Sequence, residues 1–326
     1  MRHKSRSTPP GQHVPVLLQP VLDALAPQPG AILVDCTTGW AGHSAELLQR
    51  VGPTGRLFCL DLDQENLARA AERLEPIGHP FSLHHSNFAG VAGIVGQAGI
   101  EQIDGLLADL GMSSMQVDDP ARGFSYAREG PLDMRMDRSR GRTAAELLAS
   151  MSEAELARAL ADLGDEPEAA RLAPALGAAA RAGQLVTTTD LARLILETLG
   201  QPTEWRLRPG KNRWTTHPAA RTFQTLRILV NRELANLTQL LRVMPTLLKP
   251  GGVAAIISFH SGEDRLVKAA FRDGERAGIY EAISSDPLRA SYVEKVANPR
   301  ARSAKLRWAR RAKALDAVAP AIKNDS

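Results

Sequence analysis

Along the first 110 residues, short apolar runs alternate with stretches whose apolar residues recur every three or four positions. Residues 31–35 (AILVD), 56–63 (RLFCLDLD), 80–85 and 103–110 (IDGLLADL) read as strands, and three of the four carry acids at their C-terminal ends. Between them, Ala45, Leu47, Leu48 and Val51, then Leu67, Ala70, Ala71 and Leu74, have the spacing of one helical face. Strands alternating with helices predict a parallel, doubly wound α/β sheet with ligands at the strand C-termini. Ahead of the first strand, HVPVLL (13–18) leads into a short amphipathic helix over 20–25.

The alternation then stops. Residues 118–142 are rich in charge, Gly and Pro and read as a long ordered loop. Thr143 to Glu146 and Ser152 to Glu155 are two capping boxes in quick succession. Leu156, Ala159, Leu160 and Leu163 continue at helical spacing, 169–182 is Ala-rich, and 187–190 opens a helix carrying Leu191, Leu194, Ile195 and Leu199. The block 120–212 therefore reads as a helical insertion, with 201–214 as its return linker. Phe223, Leu226, Val230, Leu234, Leu237 and Leu241 form one apolar stripe, which predicts a long helix from Pro218 that Pro245 kinks or shortens. VAAIISF (253–259) is a fully buried strand, so the sheet resumes, and a helix over 264–271 follows.

Composition narrows the class. At 326 residues, 44% hydrophobic and 23% charged, the chain reads as one large globular domain or a domain with an insertion. No apolar run approaches the roughly 18 residues that span a bilayer, so no membrane partner is expected. Residues 1–11 are basic and polar without an apolar core, which argues against a secretory signal. Cys36 and Cys59 lie in expected strands as buried apolar residues, too few for a disulfide framework or a zinc cluster. A cytoplasmic protein is expected. The net charge of +4 is modest, but 300–313 holds seven Lys or Arg residues and no acid. Such a run suits nucleic-acid phosphates, or is a solvated face.

The chemistry gathers at the strand ends. Thr37, Thr38, Gly39, Ala41 and Gly42 make a small-residue loop between the first strand and its helix, where backbone can approach a ligand. Asp61 falls 22 residues after Gly39, the spacing of an acid that takes ribose hydroxyls. A dinucleotide site wants G-x-G-x-x-G, whereas this loop reads Gly39-Trp40-Ala41-Gly42. Acids at successive strand ends repel a pyrophosphate and suit the sulfonium and amino group of S-adenosyl-L-methionine. His43 and His260 read first as structural hydrogen-bonders. No His, Cys and Glu set has metal spacing, and no nucleophile elbow is present.

Several longer strings carry a resemblance: His13-x-Pro-Val-Leu-Leu18, Arg122-Gly-Phe-Ser-Tyr126, Gly130-Pro-Leu-Asp-Met-Arg-Met-Asp137, His217-Pro-Ala-x-Arg-Thr-Phe-Gln224, Ser258-Phe-His-Ser261 with Glu263-Asp-Arg265, and Asn298-Pro-Arg-x-Arg-Ser-Ala-Lys-Leu-Arg307. In this order they resemble the bacterial RsmH (MraW) family, which methylates the N4 amine of a cytosine in 16S ribosomal RNA. The resemblance implies a class I (Rossmann-like) S-adenosylmethionine-dependent methyltransferase sheet with an inserted all-helical domain. It implies a core over 13–119 and 213–298, a substrate-recognising insertion over 120–212, a disordered basic N-terminus over 1–12 and a basic tail over 299–326. Its cofactor contacts fall on Ala41, Gly42, His43, Asp61, Phe88, Asp109 and Gln116. Asp109 is also the candidate catalytic residue, accepting a hydrogen bond either from the target amine or from the cofactor's methionyl amine. Arg300, Arg302, Lys305 and Arg307 are the expected contacts to 16S rRNA of the small subunit, helped by the 122–142 loop, while Arg135 and Arg221 serve either phosphate or internal ion pairs. Monomer and homodimer both stay open. Where the family pattern has glycines, this chain has Cys36 and Ala41; alanine at 41 is comfortable only at negative φ. Gly262 stands for a usual Leu, and Gly164-Asp-Glu-Pro-Glu for a usual Gly-Glu-Glu. Three other readings compete: an amino-methyltransferase for DNA or protein, a nicotinamide dehydrogenase, and a non-catalytic RNA-binding homologue.

Overall fold

The computed structural model describes residues 15–202 and 217–313. The expected N-terminal segment 1–12, most of the return linker and the chain beyond Lys313 lie outside the described residues. The chain divides into two compact units: one takes residues up to Asp61, Asn66–Leu110 and the chain from Thr238 onward; the other takes Leu62–Glu65 and Gly111–Leu237.

The first unit is a seven-stranded sheet. Its strands are β1 (Ile32–Asp35), β2 (Arg56–Asp61), β3 (Phe81–His85), β4 (Ile103–Asp109), β5 (Leu248–Ser258), β6 (Tyr280–Ile283) and β7 (Lys305–Arg311). They lie in the order β3-β2-β1-β4-β5-β7-β6. β1 to β5 are mutually parallel and β7 runs antiparallel to both neighbours. This is the class I Rossmann-like sheet. The register sets Asp35 opposite Cys59 and Leu107, so the central strands end together on one rim. Leu33, Leu57, Cys59, Leu107, Ala255 and Ile257 join one buried core with the helices Leu18–Leu25 and Gly42–Val51. Gly105 makes room inside β4 for the neighbouring strand, since a Cβ there would lie 2.9 Å from Leu33 Cδ2 and push that side chain aside. Both cysteines are free and buried, and burial pushes both thiols up. Among the described residues no helix is long and apolar enough to cross a membrane.

One expectation is corrected here. Residues 305–311 are not a tail but β7, between β5 and β6. The charge of this strand is neutralised inside the unit: Arg307 Nε donates to Asp264 Oδ1 at 2.7 Å, and Lys305 Nζ to Asp264 Oδ2 at 3.1 Å. Burial works to raise the Asp264 carboxyl, but hydrogen bonds from Arg307 and Lys305 outweigh it and hold it below its ordinary value. Asp264 sits in the helix Ser261–Arg276, longer at both ends than the pattern predicts.

The second unit is helical. Helices Ala144–Ser150, Glu153–Gly164, Ala169–Arg181, Thr188–Thr198 and Ala220–Asn231 bury Leu148, Leu156, Leu160, Leu172, Leu191, Ile195, Phe223 and Leu226 in one core. The two expected capping boxes form, the hydroxyls of Thr143 and Ser152 accepting the N–H groups of Glu146 and Glu155, and Thr187 with Asp190 makes a third. This unit runs past the expected limit of 212 because the helix Ala220–Asn231 packs on Ala144–Ser150 and Glu153–Gly164. The expected long helix is also broken. Arg232 adopts φ 52°, and a second helix, Glu233–Leu247, starts beyond it. Asn231 holds the break open by donating to the Met134 carbonyl and accepting from the Met136 N–H, both at 2.8 Å.

Candidate functional site

In the first unit, the rim of the sheet collects three acids in a mostly buried setting. Asp35, at the end of β1, accepts Ser44 Oγ at 2.6 Å and the Thr37 N–H at 3.1 Å. Burial pushes its carboxyl up to about 6, and Asp61 adds to the rise, against the hydrogen bonds from Ser44 and Thr37. Asp61, at the end of β2, accepts the Gly39 N–H at 2.7 Å and Asn66 Nδ2 at 3.2 Å. The expected acid therefore clamps the loop. Asp109, at the end of β4, is anchored through its backbone, whose N–H donates to Thr37 Oγ1 at 2.6 Å. Burial, then Asp35 and Glu263, raise its carboxyl well above the ordinary range. One of its oxygens, Oδ1, is buried and makes no hydrogen bond, although the side chain as a whole is 24% exposed.

The loop between β1 and its helix has the left-handed backbone that glycine favours. Gly39 has φ 52°, and Ala41, the N-cap of Gly42–Val51, has φ 57°. Alanine therefore occupies the strained conformation, at a cost of about 1–2 kcal/mol relative to a residue without Cβ. Ala41 is fully buried. Gly42 faces Pro15, whose Cβ would lie 3.2 Å from an added Cβ. His43 is buried beneath the loop; its Nε2 donates to the Val16 carbonyl at 2.9 Å, and its Nδ1 lies 3.8 Å from Asp109 Oδ2. A carbonyl only accepts, so this bond sets the proton on Nε2 and aims Nδ1 at Asp109.

Two further rim elements complete the unit. Phe88 is half-buried after β3, in a turn that Asn87 caps by accepting the Ala89 N–H at 2.8 Å. Beyond β5, His260 is the N-cap of Ser261–Arg276, and Glu263 Oε2 accepts the Phe259 N–H at 2.8 Å. His260 Nε2 lies 3.2 Å from Glu263 Oε1 without making a hydrogen bond. The pattern reading missed Glu263 as a charge acting on Asp109. Its signal was a capping box with histidine at the cap, an unusual cap residue. Ser44 and Thr37 were missed as well, for their hydroxyls act on acids at β1 and β4 that sequence spacing does not bring together.

Gln116 belongs to the second unit, and one donor and one acceptor of its amide are engaged there. Its Oε1 accepts the Ser113 N–H at 3.0 Å and its Nε2 donates to Asp63 Oδ2 at 2.9 Å. Arg122 is buried too: Nη1 donates to the same Asp63 oxygen at 2.6 Å, and Nη2 to the carbonyls of Arg135 and Met136. Arg122 is therefore a strut, not a phosphate contact. Arg135 chelates Asp133 at 2.7 and 2.9 Å, which places it among internal ion pairs, whereas Arg221 is exposed. Of the four expected RNA contacts, Arg300 and Arg302 are exposed. Lys305 and Arg307 instead face Asp264, with Arg307 only 5% exposed, so the structure removes that pair from the RNA-facing set.

The donor set of the rim fits a cationic ligand. The charges acting on Asp109 are both acids, its Oδ1 lacks a donor, and the carboxylates of Asp35 and Asp109 are held back from ionising by their surroundings. A cation placed there satisfies all three conditions; a pyrophosphate satisfies none. These are the demands of S-adenosylmethionine, with its ammonium and sulfonium.

Comparison with known proteins agrees. The model of the MraW methylase family matches residues 11–312. The chain is 46% identical over 308 residues to Ribosomal RNA small subunit methyltransferase H of Sorangium cellulosum, covering 94% of this chain and 93% of that protein. The protein of the same name from Methylococcus capsulatus is 45% identical over 306 residues, covering 90% and 98%. That of Symbiobacterium thermophilum is 42% identical over 310 residues, covering 90% and 95%. With its motifs, its sheet and its acid rim in agreement along nearly the whole sequence, the chain belongs to the MraW methylase family.

Proposed function

We propose that the chain methylates the exocyclic N4 amine of a cytosine in 16S rRNA of the small ribosomal subunit, with S-adenosylmethionine as methyl donor. The observation that carries the reading is Asp109: an acid at the end of the fourth strand, among other acids, with a buried oxygen that has no donor. When bound, S-adenosylmethionine supplies an electrophilic methyl group on a sulfonium, so the protein's work is to position and polarise.

Asp61 is assigned to the ribose hydroxyls. Ala41, Gly42 and His43 are assigned to the loop that encloses the cofactor, Phe88 to the face of its base, and Gln116 to the cofactor on the resemblance alone. The target base must leave its stack to reach the rim. Its amine is a poor nucleophile because the lone pair is conjugated into the ring. Asp109 accepts a hydrogen bond from that amine, localises the lone pair, and takes the proton as the new N–C bond forms. His43, fixed by Val16, keeps Nδ1 toward Asp109. Burial, with Asp35 and Glu263, raises the Asp109 carboxyl, and a cation beside it favours the ionised form.

The test is single-turnover methylation of small subunits isolated from cells lacking this protein, with the methyl group mapped on the RNA. Asp109→Asn is expected to cut the rate at least about a hundredfold, the usual scale for loss of general acid–base function, while leaving the fold intact. Near-wild-type transfer by that variant would overturn the assignment of Asp109.

A further inference from the structure

Six large apolar side chains are exposed among the described residues, and four of them fall within nine residues: Leu288, Tyr292, Val293 and Val296. Tyr292 is 82% exposed, Val293 75% and Val296 61%. The last three share the short helix Tyr292–Ala297. Scattered exposed apolar residues need no explanation, whereas a cluster of this density marks a contact surface.

The charge around the cluster has one sign. From Leu288 to Arg302 there are four basic residues, Arg289, Lys295, Arg300 and Arg302, and one acid, Glu294. The acid is half-buried and turned to the backbone: Glu294 Oε1 accepts the Leu17 N–H at 2.7 Å. Arg289, Arg300 and Arg302 are exposed. The other basic residues nearby, Lys305 and Arg307, are spent on Asp264. The outward face is thus an aromatic and aliphatic centre in a cationic frame.

The cluster is also wired to the rim within the same unit. Glu294 holds the Leu17 N–H, the adjacent Val16 carbonyl holds His43, and His43 Nδ1 faces Asp109. Leu17 carries φ 55° and is fully buried, so this connection is packed and strained, not a loose end.

We infer that the segment Leu288–Arg302 is a landing platform for single-stranded RNA flanking the target base, with Tyr292 as the stacking surface. A base has an apolar face for Tyr292 and its aliphatic neighbours, while its backbone brings negative charge to a frame with four basic residues and one acid. A second copy of this chain fits poorly, because a two-fold contact at this patch would bring a segment of four basic residues and one acid against its own copy. The inference rests on the rRNA reading of the function and adds where the substrate is gripped.

The test uses the full chain and 16S rRNA lacking the methyl group, with affinity read at several salt concentrations. Tyr292→Ala is expected to weaken RNA binding about tenfold, the scale of one lost base–aromatic stack, and Tyr292→Phe to restore it. Arg289→Gln is expected to lower the slope of log K against log salt by about 0.7, one single-strand phosphate contact. Cofactor affinity and melting temperature are expected to stay at wild-type values in all three variants. If the wild type binds and methylates rRNA while Tyr292→Ala and Arg289→Gln bind as well as it does, the platform is overturned and the function stands. If the variants change only the sedimentation coefficient, the patch is a protein interface and the platform is again overturned. A wild type that neither binds nor methylates rRNA overturns both readings.

Discussion

Asp35 should make the ligand-free protein less stable as pH rises through the mildly acidic range. Its carboxyl is raised from the ordinary 3.8 to about 6 by burial at the end of β1, with Asp61 contributing. At 1.36 kcal/mol per pH unit, ionising it in the folded chain is penalised by about 3 kcal/mol. Because the folded state binds this proton more tightly than the unfolded state, stability falls between pH 3.8 and 6 and is flat above that window from this group. Asp35→Asn keeps the shape and removes the titration. Whatever the variant loses at the Ser44 and Thr37 hydrogen bonds is a constant offset and leaves the slope untouched. Urea unfolding followed by circular dichroism at pH 4, 5, 6 and 7.5 reads both curves. The wild type minus Asp35→Asn difference is expected to fall by about 2.4 kcal/mol across the series, the rest of the loss lying below pH 4. Parallel curves would refute the claim that Asp35 is forced to ionise in an unfavourable setting.

Two other expectations concern stability. Asp264→Ala leaves Arg307 buried beside β7 without its partner, so it should cost about 3 kcal/mol in a urea melt; a loss below about 1 kcal/mol would mean that the guanidinium finds water or another acceptor. At Ala41, replacement by Gly relieves about 1–2 kcal/mol of left-handed strain but loses a buried methyl and adds unfolded-state entropy, about 0.8 and 0.4–1 kcal/mol. The net change should stay within about 1 kcal/mol of zero, whereas Ala41→Val, β-branched at φ 57° in a fully buried position, should cost about 2 kcal/mol or more. Equal melting temperatures for all three residues would refute the strain.

The parallel half of the sheet was legible because each of its strands is a short apolar run with turn chemistry close behind, and that signal is local. β7 was not. Its sequence, KLRWARR, reads as charge, and only the pairing of Arg307 with Asp264, 43 residues earlier, turns a basic run into an interior strand. The break at Arg232 was equally invisible. The apolar stripe runs straight through it, and what opens the helix is Asn231 bonding a loop 95 and 97 residues away. Arg122 and Gln116 show the same limit within the site residues. Their residue types fit ligand contacts, and it takes the buried Asp63 to show how their side chains are occupied. The acids of the rim were readable by position, since strand ends in an open α/β sheet converge whatever lies between them.

The contrast between buried charges in this protein locates the ligand better than any single residue does. Asp264 is neutralised by Arg307 and Lys305, Asp63 by Arg122, and Glu233 by Arg227 at two distances of 2.8 Å. In each of these pairs an acid away from the rim has its cation. At the rim the pattern changes: burial raises Asp35 with Asp61 adding to it, burial raises Asp109 with Asp35 and Glu263 adding to it, and Asp109 Oδ1 has no donor. Backbone strain at Ala41 falls in the same loop. Each departure costs on the order of 1–3 kcal/mol, and nothing in the packing of β1, β2 and β4 requires acids at their ends, since a neutral polar side chain would accept the same N–H and hydroxyl donors. What removes the penalty is a positive charge from outside the chain. A neutral ligand would leave Asp109 unsatisfied, and an anion would add to the repulsion. The one class of partner under which these departures become favourable together is a cation, which is what distinguishes a sulfonium cofactor from a dinucleotide at this rim.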